Sequence, residues 1–198
     1  MADLRGIRAL TFDVFGTVVD WRKSIVDEGA QLGRERGLQV DWGRFADEWR
    51  GHYGPSMDRV RRGELPWTSL DGLHRMALDA LIPRYGLDSL SEADRDHVNR
   101  VWHRLRPWPD AIPGLARLKA RFVIAPLSNG NVALLTNMAK AAGLPWDCIL
   151  SAELARAYKP DPKAYTTAVE LLGLRPERVL MVAAHAGDLQ AARSVGMR

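Results

Sequence analysis

The stretch Ala9-Leu10-Thr11-Phe12-Asp13-Val14-Phe15-Gly16-Thr17 is an apolar run that ends in a single aspartate. Such a run, followed by a glycine, is typical of a short buried strand that ends in a turn. Asp13 would then stand at the carboxyl end of the strand. The residue two places further on is Phe15 rather than a second acid. The structural alternative is an edge strand closed by a turn, with Asp13 as its cap.

Composition limits the class of protein. The 198 residues are 46% hydrophobic, which suits one α/β domain or a core with an inserted subdomain. The 28 Lys+Arg and 24 Asp+Glu residues give a net charge of +4. The densest basic patch, Arg59-Val60-Arg61-Arg62, fits a solvated helix face better than a nucleic-acid site. No apolar run reaches membrane-spanning length and the N-terminus does not resemble a signal peptide, so we expect a cytoplasmic protein without a membrane partner.

The single cysteine, Cys148, excludes an internal disulfide framework and a cysteine-based metal site. It lies in the apolar run Asp147-Cys148-Ile149-Leu150. We therefore expect a buried structural thiol rather than a nucleophile.

Four apolar runs have the character of strands, at residues 7–12, 122–127, 148–150 and 179–183. Helical segments of ordinary length separate the last three. Asn131 and Asp161-Pro162 are typical helix starts, and Gly143 and Gly173 are typical helix ends. This alternation predicts an α/β fold with a parallel sheet.

The segment between the first two predicted strands is long and helical. Ser91-Glu92-Ala93-Asp94 has the pattern of a capping box, and Gly86 marks a helix end. An insertion at the carboxyl end of strand one would overhang the place where α/β sheets bind ligands. We predict a helical-bundle cap over residues 21–107, inserted into a core made of residues 1–20 and 108–198. Because a fifth strand would be expected after Gly196, we also expect the native chain to continue beyond residue 198.

Polar side chains follow each predicted strand, and parallel strands bring their carboxyl ends to one edge of a sheet. Listed in chain order, they are Asp13, Thr17, Ser128, Asn129, Lys159, His185 and Asp188. Asp13 is the candidate nucleophile, because a carboxylate can form a covalent ester. Lys159 would keep it ionised, Thr17 and Ser128 would orient it, and Asp188 would activate water against the ester.

Four motifs carry a family resemblance. They are Phe12-Asp13-Val14-Phe15-Gly16-Thr17, Leu127-Ser128-Asn129-Gly130, Tyr158-Lys159-Pro160-Asp161 and Gly187-Asp188. In this order, and over essentially the whole chain, they resemble the haloacid dehalogenase superfamily. The resemblance implies a Rossmann-like core with a helical cap inserted after strand one.

Two positions distinguish the branches of that superfamily. Its magnesium-dependent phosphatases have a second acid two residues after the nucleophile and another acid after strand four, where this chain has Phe15 and Ala184. Magnesium needs oxygen ligands, so the loss of an acid disfavours a metal. The sequence therefore resembles the L-2-haloacid dehalogenase branch, which uses no metal or other cofactor.

Resemblance to this branch implies further site residues. Arg50 matches an arginine that helps to bind substrate and departing halide, and guanidinium suits an anion. Asn129 and Tyr165 match an asparagine and a tyrosine near the active site. A surface arginine on a helix, and a tyrosine packed on the core, are the structural alternatives.

The chain departs from the branch after strand four, where Ala183-Ala184-His185 replaces the usual Ser-Ser-Asn. His185 could position or deprotonate the hydrolytic water, since its unperturbed pKa lies near neutrality. It could also fill the hydrogen-bonding role of the amide. Gly187 stands where a bulkier aromatic residue is common.

The resemblance implies hydrolysis of short 2-haloalkanoic acids to 2-hydroxy acids, through an ester on Asp13 and without a metal. Backbone N–H groups near Val14 and Phe15, with Ser128, would hold the substrate carboxylate. A magnesium-dependent phosphatase of the same fold is the alternative within the superfamily, and a non-catalytic small-acid binding protein is the alternative outside enzymes. A homodimer is common in the family that the chain resembles.

Overall fold

The computed structural model describes residues 4–198, and residues 1–3 of the predicted core lie outside the described part. The chain forms two compact units. One contains the residues up to Val19 together with Pro107–Arg198, and the other is Asp20–Arg106. Within residues 4–198, no helix combines the length and the apolar character that crossing a membrane requires.

The first unit is built on a four-stranded sheet. Its strands are β1 (Ala9–Phe12), β4 (Val123–Ser128), β5 (Leu150–Ser151) and β6 (Val179–Val182). Their order is β5-β4-β1-β6, and every neighbouring pair is parallel. β1 is therefore central, and all four of its residues are buried. The α/β class predicted from the alternation of apolar runs is confirmed.

The helices of this unit follow the strands in sequence. They are α6 (Ala111–Lys119), α7 (Val132–Ala142), α8 (Ala152–Ala155), α9 (Pro162–Leu171) and α10 (Ala186–Ser194). The Asp161 side chain accepts a hydrogen bond from the Lys163 N–H and so caps α9. Residues of β1, β4, β5 and β6 share one buried cluster with α9 and α10, which includes Tyr165, Ala168 and Ala192. This packing fixes the sheet against the two helices that carry Tyr165 and Asp188.

The second unit is helical. It contains α1 (Trp21–Arg36), α2 (Trp42–Gly51), α3 (Tyr53–Arg61), α4 (Leu70–Leu81) and α5 (Glu92–Asn99), with 3₁₀ turns at Pro83–Tyr85 and Arg100–His103. The predicted capping box is present, because Ser91 and Asp94 exchange side-chain and backbone hydrogen bonds. Gly86 ends the first 3₁₀ turn with a φ of 64°. Trp49 and Trp102 are among the largest fully buried side chains of this unit.

One local expectation was wrong, and two short strands were not predicted. Cys148 is exposed rather than buried, because the third strand begins only at Leu150 and the residues before it form a bend. Two short strands, β2 (Val19–Asp20) and β3 (Arg106–Pro107), lie where the chain passes between the units. Each has two residues, which is too short for a period-two pattern to appear in the sequence.

Candidate active site

Asp13 follows β1 directly, and its backbone N–H donates to the Val182 carbonyl at 2.9 Å. Gly16 has a φ of +85°, a left-handed conformation that glycine adopts readily, and it turns the chain back. The turn brings the Thr17 hydroxyl to 2.9 Å from Asp13 Oδ2. Since the same hydroxyl accepts the Ala184 N–H at 3.0 Å, its own proton is directed at the carboxylate.

Lys159 is 7% exposed and connects two carboxylates. Its Nζ lies 3.2 Å from Asp13 Oδ1 and 2.5 Å from Asp188 Oδ2. Asn129 holds the backbone of this lysine, because its Oδ1 accepts the Lys159 N–H at 2.7 Å and its Nδ2 donates to the Lys159 carbonyl at 3.5 Å. One buried ammonium therefore contacts both acids that the sequence predicts to act together.

Asp188 lies in the first turn of α10, and its second oxygen is held by Tyr165 from α9. The Tyr165 hydroxyl donates to Asp188 Oδ1 at 2.5 Å. Burial raises the pKa of Tyr165, and the hydrogen bond to the anionic Asp188 raises it further. The phenol therefore stays protonated and remains a donor at neutral pH.

The charge of Asp13 is set by opposing effects. Burial raises its pKa, but the Lys159 ammonium, the Thr17 hydrogen bond and the nearby His185 together lower the pKa below the ordinary value of 3.8. Asp13 is therefore a carboxylate at neutral pH, which is the form a nucleophile requires.

His185 stands at the N-cap position of α10, but in the described part of the chain its side chain makes no capping bond. Its ring turns to Asp13 instead, with Nδ1 at 3.1 Å from Oδ2. The side chain is 55% exposed, so one edge of the ring meets the carboxylate while the residue keeps access to solvent.

Ser128 is fully buried, and its Oγ accepts the Gly130 N–H at 3.3 Å. Over residues 4–198 no hydrogen bond joins Ser128 to Asp13, because its hydroxyl turns toward its own loop, and Thr17 supplies the hydroxyl contact that was expected from both. The proton of the Ser128 hydroxyl also has no acceptor among residues 4–198.

The residues after Asp13 are buried as well, since Val14 and Phe15 are each 1% exposed. The Val14 carbonyl accepts the N–H groups of Thr17, Val18 and Val19 at 3.2, 2.9 and 3.2 Å. In the described part of the chain the Val14 N–H itself has no acceptor.

Arg50 belongs to the helical unit, on α2. Its guanidinium carbon lies 3.8 Å from the centre of the Tyr53 ring and 5.5 Å from that of Trp21. Stacking of a guanidinium on aromatic faces leaves its N–H donors directed outward along the edge of the plane.

This arrangement disfavours a magnesium ion. Its usual ligands here would be carboxylate oxygens, but the ammonium of Lys159 already contacts both Asp13 and Asp188. Phe15 and Ala184 add no oxygen from their side chains. Among the described residues, no three His, Cys, Asp or Glu side chains are grouped so as to hold a metal ion.

Two backbone contacts of this site were not predicted from the sequence. The Val182 carbonyl fixes the Asp13 backbone, and the Ala184 N–H sets the direction of the Thr17 hydroxyl. Any residue type offers these groups, so no side-chain pattern could reveal them. In the sequence, Ala184 is distinguished only by the absence of an acid at its position.

Comparison with known proteins agrees with this geometry. The family model for haloacid dehalogenase-like hydrolases matches residues 7–196. The (S)-2-haloacid dehalogenase 1 of Pseudomonas sp. strain CBS-3 is 31% identical, over 96% of this chain and 82% of its own length.

Solved structures agree as well. A crystal structure of an L-2-haloacid dehalogenase has 49% identity and a TM-score of 0.94, covering 97% of this chain and 82% of that one. The L-2-haloacid dehalogenase from Xanthobacter autotrophicus with chloropropionic acid covalently bound has 29% identity and a TM-score of 0.83, covering 96% and 75%. The family model and the relatives match over almost all of this chain, and the chain therefore belongs to the haloacid dehalogenase-like hydrolase family.

Proposed function

We propose that this hydrolase removes halide from short L-2-haloalkanoic acids and forms 2-hydroxy acids, without a metal. The observation that carries the proposal is the contact of one buried lysine with two carboxylates, at 3.2 Å to Asp13 and 2.5 Å to Asp188. It supplies an ionised nucleophile beside a second acid. The X. autotrophicus relative binds chloropropionic acid covalently, which supports the same type of intermediate in this chain.

In the first step, Asp13 attacks carbon 2 of the substrate and the carbon–halogen bond breaks, with its electron pair leaving on the halide. Among the described residues, the Ser128 hydroxyl and the Val14 N–H are donors without an acceptor. This supports their role in binding the substrate carboxylate. The Phe15 N–H is assigned the same role from its position in the turn.

In the second step, Asp188 takes a proton from water, which attacks the carbonyl carbon of the ester. Tyr165 and Lys159 hold one oxygen of Asp188 each, and this fixes the direction of the base. Asn129 contributes by holding the Lys159 backbone.

The helical unit is assigned the role of a cap that excludes water from the ester, and Arg50 that of the cation for the departing halide. The stacking of Arg50 on Tyr53 at 3.8 Å supports this role, because it restricts the plane of the guanidinium.

The single cysteine supports a reducing cytoplasmic location.

Halide release in EDTA tests the proposed activity. Chloroacetate and each enantiomer of 2-chloropropionate serve as substrates, with p-nitrophenyl phosphate plus Mg²⁺ in parallel. We expect halide from chloroacetate and from the L enantiomer, undiminished by EDTA. Phosphate release that requires Mg²⁺, without halide release, would show a phosphatase instead. Binding of haloacids without turnover would show a non-catalytic protein.

Asp13→Asn tests the nucleophile, because an amide oxygen is a much weaker nucleophile than a carboxylate. We expect halide release to fall at least about 1,000-fold. Mass spectrometry of the variant must exclude deamidation back to aspartate. Asp161→Asn is the matched control, since Asp161 caps α9 through a hydrogen bond to the Lys163 N–H and has no part in the reaction. Full activity of Asp13→Asn would refute the mechanism.

A further inference from the structure

The two oxygens of Asp13 have different surroundings. Oδ2 accepts the Thr17 hydroxyl at 2.9 Å and lies 3.1 Å from His185 Nδ1. Within residues 4–198, Oδ1 has one hydrogen-bond partner, the Lys159 ammonium at 3.2 Å. A carboxylate oxygen offers about two lone-pair directions. Oδ2 is therefore in contact with two polar groups, whereas Oδ1 keeps one direction open for an electrophilic carbon.

The contact with Asp13 also fixes the proton of the histidine ring. Asp13 is ionised at neutral pH, so Oδ2 can only accept hydrogen bonds. His185 Nδ1 must then carry the hydrogen, and the lone pair of a neutral ring lies on Nε2. While this contact lasts, Nδ1 has no lone pair with which to take a proton from water.

We propose that Oδ1 of Asp13 is the attacking oxygen and that His185, together with Thr17, donates to Oδ2 as negative charge develops there during ester hydrolysis. His185 is then a catalytic hydrogen-bond donor and not the base. This inference rests on the proposed dehalogenase activity and assigns one residue of the same site.

The bonds and protons balance as follows. Oδ1 bonds to carbon 2 as the halide leaves, which makes Oδ2 the carbonyl oxygen of the ester. Water adds to Cγ and gives one proton to Asp188, while the carbonyl electron pair moves onto Oδ2. When the carbonyl re-forms, the Cγ–Oδ1 bond breaks and Oδ1 leaves with the product, taking the proton from Asp188. Asp13 keeps the oxygen of water and releases its remaining proton to solvent.

Donors aimed at such an oxygen act on the second step most strongly, because the negative charge on Oδ2 is largest in the tetrahedral intermediate. Loss of one donor of this kind costs about 100- to 1,000-fold in rate. Since the His185 side chain is 55% exposed, the lower end of that range applies. The ester should therefore accumulate when the donor is removed.

Three substitutions of His185 distinguish a role as donor at Nδ1 from a role as base at Nε2. The amide nitrogen of asparagine occupies the place of Nδ1 relative to the backbone, whereas that of glutamine reaches the place of Nε2. Neither amide can act as a base, and alanine provides neither group. His185→Asn, His185→Gln and His185→Ala are therefore compared in rapid-quench experiments with L-2-chloropropionate. Halide and the mass of the peptide containing Asp13 are followed over time.

We expect His185→Ala to release about one halide per site in a burst, to accumulate the ester on Asp13 and to hydrolyse it about 100-fold more slowly than the native protein. His185→Asn should recover at least about ten-fold of that loss, and His185→Gln should recover less. Thermal unfolding of all three variants confirms that they are folded.

Two results would overturn the inference while the proposed function stands. Equally slow ester hydrolysis in the asparagine and alanine variants would show that Nε2 acts as a base. Unchanged hydrolysis in the alanine variant would show that His185 has no role. Absence of halide from the native protein is a different result, because it would remove the proposed function itself.

Discussion

Thr17 is the residue that most directly links the fold to the chemistry of Asp13. Its hydroxyl accepts one backbone N–H and donates to the carboxylate, so it cannot rotate without losing a hydrogen bond. A hydrogen bond to a charged group contributes about 1.5–3 kcal/mol. The position of one hydroxyl therefore affects both the orientation and the charge of the nucleophile.

Substitution of Thr17 by valine tests this link. The pKa of Asp13 is lowered in the folded protein partly by Thr17, so its removal raises that pKa. The acid limb of kcat/KM, where Asp13 becomes protonated, should move to higher pH, and the rate at pH 7 should fall about 10- to 100-fold. The measurement is the pH profile of halide release.

Thr166→Val is the control, since within residues 4–198 the Thr166 hydroxyl donates only to backbone carbonyls of its own helix. An acid limb that stays in place in Thr17→Val would contradict the assigned role.

The sequence predicted which side chains lie close together. It predicted less well how those side chains contact one another. Asp13, Lys159 and Asp188 were expected to converge because each follows a strand, and their geometry agrees. Ser128 follows a strand as well, yet its hydroxyl turns to Gly130. Rotamers and backbone donors decide such contacts, and neither is encoded in the order of strands.

At the scale of elements, Gly29 allows α1 and α2 to pack closely. A Cβ on Gly29 would lie 2.4 Å from Trp42 Cε3, so the indole packs directly on the backbone of α1. Helical periodicity predicted these helices, but not which glycine the tryptophan covers. That contact depends on how the two helices pack together, and a periodicity of 3.6 residues does not determine this packing.

Gly29→Ala should therefore destabilise the protein by about 1–3 kcal/mol, because the indole must move. Gly114→Ala on α6 is the matched control, since no atom of the described residues outside its own helix turn lies within 4 Å of the Cβ that it would add. Because alanine loses less backbone conformational entropy than glycine in a helix, Gly114→Ala should stabilise the protein by about 0.5–1 kcal/mol. Urea denaturation measures both, and changes of the same sign would contradict the packing described.

At the scale of the whole molecule, a buried histidine should limit stability in acid. His74 is 3% exposed, and neither ring nitrogen has a hydrogen-bond partner among the described residues. Its ring stacks on Trp102 with centroids 4.1 Å apart. Burial lowers the pKa of His74 from 6.5 to about 3, with Asp71 opposing this shift and Arg50 and His103 adding to it.

The sign of the pH effect follows from this shift. Between pH 6.5 and about 3 the unfolded chain binds a proton at His74 that the folded chain does not. Stability is therefore lost as the pH falls through this window, by up to about 1.4 kcal/mol per pH unit. His74→Phe keeps a stacked ring and removes this dependence.

Urea denaturation at pH 7.5, 6 and 5 tests the effect in the native protein and in His74→Phe. Carboxylates contribute equally to both, so the difference between the two proteins reports His74. We expect His74→Phe to gain relative stability as the pH falls. A difference that does not change with pH would contradict a neutral buried histidine.

The central claim is that Asp13 forms an ester with the substrate in the absence of metal. The most direct measurement is mass spectrometry of the peptide containing Asp13, after L-2-chloropropionate is mixed with the native protein in EDTA and quenched within milliseconds. We expect a transient gain in mass equal to the substrate less its chlorine, on Asp13 and not on Asp188. Release of chloride without any modification of Asp13 would contradict this mechanism.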